Sequence, residues 1–188
     1  GYTFYRDNLF NGLVEPSLYF SCPVHNCIHR EVIRWNGVLM QTSRAGDEAR
    51  SEFLRSADSW FRPTAIRTGP DGGMYVADMY RFVIEHPKWI PEDWQKVVNL
   101  RAGSDRGRIY RVVGKETGPA AHEGLVDLSD KELVKKLSSG NGWTRDMAHQ
   151  LLLWRKPRAA DLKGLQKEAT TLGKMHFLSL LDGLGGLT

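Results

Sequence analysis

Two cysteines and two histidines lie close together in one short stretch of the sequence. His25, Cys27 and His29 occupy every second position, so on a β-strand they would share one face. Imidazole and thiolate groups on one face suggest a transition-metal site. In a regular strand, however, the Cα atoms of His25 and His29 would be about 13 Å apart, which is near the limit for two residues that bind the same ion. We therefore predict no metal here. His25, Asn26 and His29 are instead interpreted as polar residues that line a cavity and bind substrate, with burial of Cys27 and an edge position for the histidines as the alternative.

A second group of chemically capable side chains follows the predicted strand that ends at Ala77. Asp78 and Glu85 could hold a cation or orient His86 as a general base. On this interpretation Asp78 and His86 are catalytic, while Tyr80 and Glu85 bind substrate. The alternative is a rigid surface loop in which Glu85 and His86 make only local hydrogen bonds.

Arginines are concentrated in the first part of the chain, where 13 arginines stand against 2 lysines before residue 113. A guanidinium group suits two-point contact with a carboxylate, whether on a ligand or on a neighbouring aspartate such as Asp58 or Asp105. The four candidates for contact with a bound cofactor are Arg62, Arg81, Arg106 and Arg108.

These groups must be positioned by short strands and tight turns. Asn36-Gly37 predicts one hairpin, and the Pro-Asp-Gly sequence within residues 69–73 predicts a second between strands 64–68 and 74–77. A third strand is predicted over residues 107–113. Such strands favour an antiparallel sheet, a sandwich or a propeller.

The second part of the chain has helical patterns. Ser129 and Glu132 have the spacing of a capping box, and the apolar stripes that follow predict four short helices in antiparallel pairs, as in α-solenoid repeats. We expect a β-rich domain over residues 1–113, a linker over residues 114–124 and a helical domain over residues 125–188.

Composition limits the classes of protein to consider. The chain has 188 residues, of which 41% are hydrophobic and 26% charged, with a net charge of +4. That surplus is too small to indicate nucleic-acid binding, and no apolar run approaches the roughly 20 residues of a membrane helix. The first residues contain neither an initiator Met nor a signal peptide, so we expect the chain to be part of a longer polypeptide.

Several segments in order resemble one bacterial family, whose members are described as membrane-bound dehydrogenases or PVC-type haem-binding proteins. They are Phe4–Arg6, Pro23–Asn26, His29–Arg30, Trp60–Pro63, Gly69–Tyr80, Ile84–Pro91, Arg101–Val112 and Asn141–Asp146. The resemblance implies a mixed fold, in which residues 1–113 are the last all-β blades of a partial propeller and residues 125–188 are all-α HEAT-like repeats.

The same resemblance implies a function. The longer protein would oxidise sugars or alcohols and pass electrons to a haem c domain outside this chain. The propeller of this family is similar to soluble sugar dehydrogenases that use pyrroloquinoline quinone with calcium, so the four arginines would contact the quinone. Cys22 and Cys27 lack the spacing of a haem attachment motif. The implied location is periplasmic or extracytoplasmic, and the alternative is a non-catalytic binding or scaffold module with a protein ligand.

Overall fold

The computed structural model describes residues 1–10, 16–115, 118 and 121–187, which form two compact units. The β unit contains residues 1–5, 12–68 and 74–112, and the helical unit contains residues 6–11, 69–73 and 113–188. Each unit therefore draws on separated parts of the sequence.

The larger sheet of the β unit is antiparallel and has five strands. Its order is β1-β2-β3-β4, and β5 pairs with β3 beside β4. The strands are β1 (Tyr2–Phe4), β2 (Ser17–Cys22), β3 (Cys27–Asn36), β4 (Leu39–Arg44) and β5 (Leu54–Arg55). Asn36 pairs with Leu39 across the two-residue loop Gly37-Val38, in which Gly37 has φ +61°. The predicted hairpin is therefore confirmed, with Asn36 as the last residue of its first strand.

The smaller sheet of the β unit is an antiparallel meander of three strands. They are β6 (Pro63–Thr68), β7 (Met74–Asp78) and β8 (Arg108–Val112). Residues 69–73 form the predicted turn between β6 and β7, where Asp71 accepts a hydrogen bond from the backbone of Gly73 and Gly72 has φ +77°. The short helix α1 (Glu92–Val97) lies between β7 and β8.

Apolar residues of both sheets form the core of the β unit, where β2 lies against β6. The best-buried of them, each at most 1% exposed, are Tyr19, Ile28, Ile66, Met74 and Val76. Alternation along the strands puts these side chains on the inner faces, while β4 is exposed along its whole length.

The helical unit contains α2 (Asp130–Lys136), α3 (Gly142–Arg155), α4 (Ala159–Leu162) and α5 (Thr171–Gly183). Ser129 and Glu132 make both hydrogen bonds of the predicted capping box at the start of α2. The fully buried residues of its core are Leu133, Ala148, Leu152 and Leu180.

The expected propeller blades and HEAT-like repeats are wrong. In the described residues the two sheets have five and three strands, with β5 branching beside β4, and they do not form a closed propeller. The helices do not repeat as pairs either. Left-handed backbone at Lys156 ends α3. The third predicted helix is only the single turn of α4, because left-handed backbone at Gly164, with φ +95°, separates it from a 3₁₀ turn. The fold is a mixed α/β arrangement of two small antiparallel sheets followed by helices.

Candidate functional site

The hairpin of β2 and β3 places the two cysteines side by side. Cys22 ends β2 and Cys27 begins β3, and the register pairs them directly across the strands. The thiol sulfur of Cys22 lies 3.1 Å from Nδ1 of His25, which belongs to the four-residue turn between them. Both cysteines are free thiols.

These residues open onto a cleft of about 530 Å³. The cleft is lined by Cys22, His25, Cys27, His29, Arg44, Glu52 and Arg55. Cys27 and His29 share one face of β3, as their spacing predicts, whereas His25 lies in the turn. Two of the three predicted substrate-binding residues of this segment, His25 and His29, therefore line one cavity.

Hydrogen bonds fix the orientation of His29 and Glu52 in this cleft. Glu52 approaches Nδ1 of His29 at 2.8 Å and accepts a bond from Arg44 at 3.0 Å, while Glu31 lies 3.4 Å from the other ring nitrogen of His29. Burial acts to raise the pKa of Glu52, but the hydrogen bonds from His29 and Arg44 outweigh it and lower the pKa. Glu52 is therefore a carboxylate held ionised beside an imidazole.

Asn26 organises the turn beside the cleft. Its backbone is left-handed, with φ +55°, a conformation that asparagine tolerates better than most residues. Its side-chain amide donates hydrogen bonds to the carbonyl oxygens of Ser59 and Phe61 at 3.0 and 2.5 Å. Asn26 thus ties the turn to the chain that leads into β6, rather than lining the cleft with His25 and His29.

Asp78, a predicted catalytic residue, is the centre of a second cluster. Its side chain is fully buried, and one carboxylate oxygen accepts hydrogen bonds from the backbone amides of Arg62 and Tyr80 at 2.7 and 2.8 Å. The other oxygen accepts a bond from Nε of Arg108, whose guanidinium group lies 4.0 Å from the centre of the Tyr80 ring. This carboxylate fastens the end of β7 to β8 and to the start of β6.

Two further predicted cofactor-binding arginines use their guanidinium groups on backbone carbonyls. Arg62 donates to Arg81, Pro23 and Phe82 at 2.8–3.0 Å, and Arg81 donates to Gly103 at 2.5 Å and to Met79 and Tyr80 at 3.1 Å. These donors face the chain's own carbonyls, so the arrangement does not fit a quinone whose carboxylates need paired donors. Arg106 is exposed.

Glu85 and His86 are exposed and make local hydrogen bonds. Nδ1 of His86 accepts a bond from the backbone amide of Lys88 at 3.1 Å and caps the 3₁₀ turn Pro87–Trp89, and Glu85 accepts a bond from the amide of Ile84 at 3.3 Å. Within the described part of the chain, no hydrogen bond joins His86 to Asp78. The catalytic assignment of these two residues stays a prediction.

The His25–His29 segment contains imidazole and thiol groups, which are ligands for transition metals. Across residues 1–10, 16–115, 118 and 121–187, no three His, Cys, Asp or Glu side chains are grouped so that they could hold a metal ion. These residues therefore include no cluster of carboxylates for the calcium that the resemblance implies beside a quinone.

Sequence reasoning did not identify Glu52, Arg44 or Arg55 as residues of the site. Arg44 could have been located from the hairpin alone, because counting from the two-residue loop Gly37-Val38 places it opposite Glu31 on β3. Glu52 and Arg55 follow β4 and return to β3 through tertiary pairing, for which the sequence has no local signal.

Comparison with known proteins identifies a family for this chain. Residues 1–116 match the family described as Domain of unknown function (DUF7133). No curated protein and no solved structure matches the chain. In the part that the structure describes, helices of the length and apolar character needed to cross a bilayer are absent. The match covers well over half of the sequence, and the chain therefore belongs to the DUF7133 family.

Proposed function

We propose that the chain binds a small sugar or alcohol in the cleft lined by His25, His29 and Glu52, and that it does so as part of a longer dehydrogenase. The observation that carries this proposal is the cleft itself, where predicted substrate-binding residues and a fixed carboxylate share one open cavity of about 530 Å³. A monosaccharide is small enough for a cavity of this size.

The polar groups of the cleft suit a ligand with several hydroxyl groups. Glu52 is ionised and accepts hydrogen bonds, Arg55 donates them, and the imidazoles of His25 and His29 can do either. A hydroxyl group both donates and accepts hydrogen bonds, so the neighbouring hydroxyls of a sugar can pair with the acceptors and donors of the cleft. His29 and Glu52 are already held by each other at 2.8 Å, which lowers the entropic cost of binding.

Oxidation of the bound alcohol is the part of the proposal that rests on the resemblance to membrane-bound dehydrogenases. A cofactor carried elsewhere in the longer protein would accept the electrons. In that arrangement the residues described here bind and orient the substrate. The extracytoplasmic location belongs to the same proposal.

The binding step can be tested on the whole 188-residue chain by NMR titration with D-glucose, D-galactose and glycerol. We expect saturable shifts of the His25 and His29 ring signals with at least one of them, and about tenfold weaker binding by Glu52→Gln, since a hydrogen bond to a charged group is lost. Glu92→Gln, which alters an exposed acid on α1, should bind like the parent. Absence of saturable shifts with all three compounds would refute the binding proposal.

The oxidation step needs the longer protein. Dye reduction driven by the sugar that binds should fall in Glu52→Gln and persist in Glu92→Gln, while the 188-residue chain alone should reduce no dye. Dye reduction that is unaffected by Glu52→Gln would place the substrate elsewhere.

A non-catalytic binding module is the second candidate, and a specific observation favours it. The carboxylate of Asp78 accepts hydrogen bonds from two backbone amides and from Arg108, and the imidazole of His86 caps a turn. Both predicted catalytic groups therefore make hydrogen bonds that stabilise the fold. On this alternative the same ligand binds the cleft, but the longer protein reduces no dye with it.

A further inference from the structure

The cysteine pair of the β2–β3 hairpin has the geometry of a potential disulfide. Cys22 and Cys27 are directly opposed in the antiparallel register. Opposed residues have Cα atoms roughly 4.5–5.5 Å apart, inside the range of about 4.4–6.8 Å that a disulfide requires. Closing the bond would therefore need little movement of the backbone.

The two thiols differ in access. Cys22 is partly exposed at the cleft, and its sulfur lies 3.1 Å from Nδ1 of His25. Cys27 is only 6% exposed, and burial, together with the nearby Glu52 and Cys22, raises the pKa of its thiol. An imidazole in contact with a partly exposed thiol can take up its proton as it reacts, whereas burial suppresses the thiolate. Cys22 is thus the attacking thiol, and Cys27 is placed to react second.

The cleft also provides charge for an anionic reagent. Arg55 lies opposite Cys27 on the other side of β3, so Cys22, Cys27 and Arg55 form a row across three strands. Arg44 lines the same cleft but pairs with the Glu52 carboxylate at 3.0 Å, so Arg55 is the cation that would meet a carboxylate of the reagent. A cationic group in a cleft attracts the carboxylates of a small disulfide.

We propose that Cys22 and Cys27 are a redox-active dithiol that exchanges with low-molecular-weight disulfides carrying carboxylate groups. The Cys22 thiolate attacks one sulfur of the small disulfide and forms a mixed disulfide, while the S–S bond of the reagent breaks and its other sulfur leaves as a thiolate that takes up a proton. Cys27 then loses its proton and attacks the Cys22 sulfur of the mixed disulfide, which releases the second thiol. The protein loses two electrons and two protons, and the small disulfide is reduced to two thiols.

The unaltered chain gives the first test. Incubation with oxidised and reduced glutathione in varied ratio, followed by alkylation and mass spectrometry, should reveal an intramolecular Cys22–Cys27 disulfide that reduced glutathione reverses. Two cysteines that remain alkylatable at all ratios, or that each carry a separate glutathione, would overturn the proposal.

Single substitutions give the second test. Cys27→Ser should accumulate the mixed disulfide of Cys22 with glutathione, and Cys22→Ser should react at least about tenfold more slowly, because its remaining thiol is buried. Equal rates for the two variants would contradict the assigned roles.

A separate rate measurement tests the role of His25, and its result would not change if the imidazole only stabilised the turn. His25→Gln should slow the reaction of Cys22, since the thiol loses the imidazole that can take up its proton, and free imidazole added to the solution should restore part of the rate. His122→Gln, in the helical unit, is the matched control and should keep the parent rate with and without added imidazole. A parent-like rate in His25→Gln, or a slow rate that imidazole does not raise, would show that the ring does not assist Cys22. These experiments contain no sugar, so their outcome is independent of the proposed polyol binding.

Discussion

Arg108 donates a hydrogen bond from Nε to Oδ2 of Asp78 at 2.9 Å, and the Asp78 side chain that accepts it has no exposed surface. The same carboxylate also accepts hydrogen bonds from the backbone amides of Arg62, just before β6, and Tyr80, just after β7. One buried charge thereby joins three parts of the smaller sheet, and its partner arginine is covered on one side by the Tyr80 ring.

Asp78→Asn should destabilise the β unit by about 2–3 kcal/mol. The amide cannot accept from all three donors and brings a donor of its own towards Arg108, and a buried hydrogen bond to a charged group contributes roughly that much. Urea denaturation followed by tryptophan fluorescence measures the change. Asp93→Asn alters a side chain that is 93% exposed and should change stability by less than about 0.5 kcal/mol. Equal effects of the two substitutions would mean that the buried carboxylate contributes nothing special.

Gly103→Ala should destabilise the same unit by about 2 kcal/mol or more. Gly103 has φ +89°, and a Cβ there would collide with the carbonyl oxygen of Tyr80. The carbonyl of Gly103 also accepts the hydrogen bond from Arg81, so relief of the collision would disturb that contact. Gly46→Ala is the control, because it has an ordinary φ and open space around it. Thermal unfolding of both variants measures the difference, and similar midpoints would contradict the argument.

The helical unit should lose stability as the pH falls below about 6.5. His149 and His176 face each other with their Nδ1 atoms 3.3 Å apart, and burial lowers the pKa of both. A histidine with a lowered pKa in the folded state favours the neutral form, so its contribution is intact above the unfolded pKa and is lost as the pH falls through the folded pKa. The neighbouring charges are Asp146, Arg145 and Arg6.

The measurement is the thermal midpoint at about pH 7.5 and about pH 5.5. His176→Gln removes one of the two titrating groups and should reduce the difference between these midpoints. His122→Gln changes an exposed histidine of the same unit and should keep the parent difference. A pH dependence that is the same in parent and His176→Gln would rule out this pair as its source.

Leu152→Ala should destabilise the helical unit by about 3 kcal/mol. Leu152 is fully buried in the cluster formed by α2, α3 and α5, and shortening it leaves a cavity. Leu172 lies at the start of α5 and is 52% exposed, so Leu172→Ala should cost much less. Helical circular dichroism during urea unfolding distinguishes them, and equal costs would contradict the packing argument.

Local features of the sequence predict local structure well here. The Asn36-Gly37 turn, the Pro-Asp-Gly turn and the Ser129–Glu132 capping box each depend on residues within a few positions of one another, and all three are confirmed. The assembly of these pieces depends on distant contacts. β5 pairs with β3 across more than 20 residues, and no local pattern specifies that a fifth strand branches there.

The candidate site was predicted only in part for the same reason. His25 and His29 are close in sequence and reach the same cleft. The partner that fixes His29 is Glu52, 23 positions away, and nothing in its neighbourhood marks it as different from other acidic residues. The Asp78 cluster shows the reverse case, where residues that are typical of catalysis serve as hydrogen-bonding anchors.

The helical unit includes two short segments from early in the sequence, and this affects any attempt to separate the units genetically. The segments are residues 6–11 and 69–73. In the first, Asp7 accepts a hydrogen bond from the backbone amide of Trp143, and Arg6 forms an ion pair with Asp146. In the second, the carbonyl oxygen of Pro70 accepts a hydrogen bond from the side chain of Asn141. A gene fragment that starts after residue 113 would encode α3 without these partners for its first turn. The two units are thus interleaved along the polypeptide, and a single cleavage cannot release the helices intact.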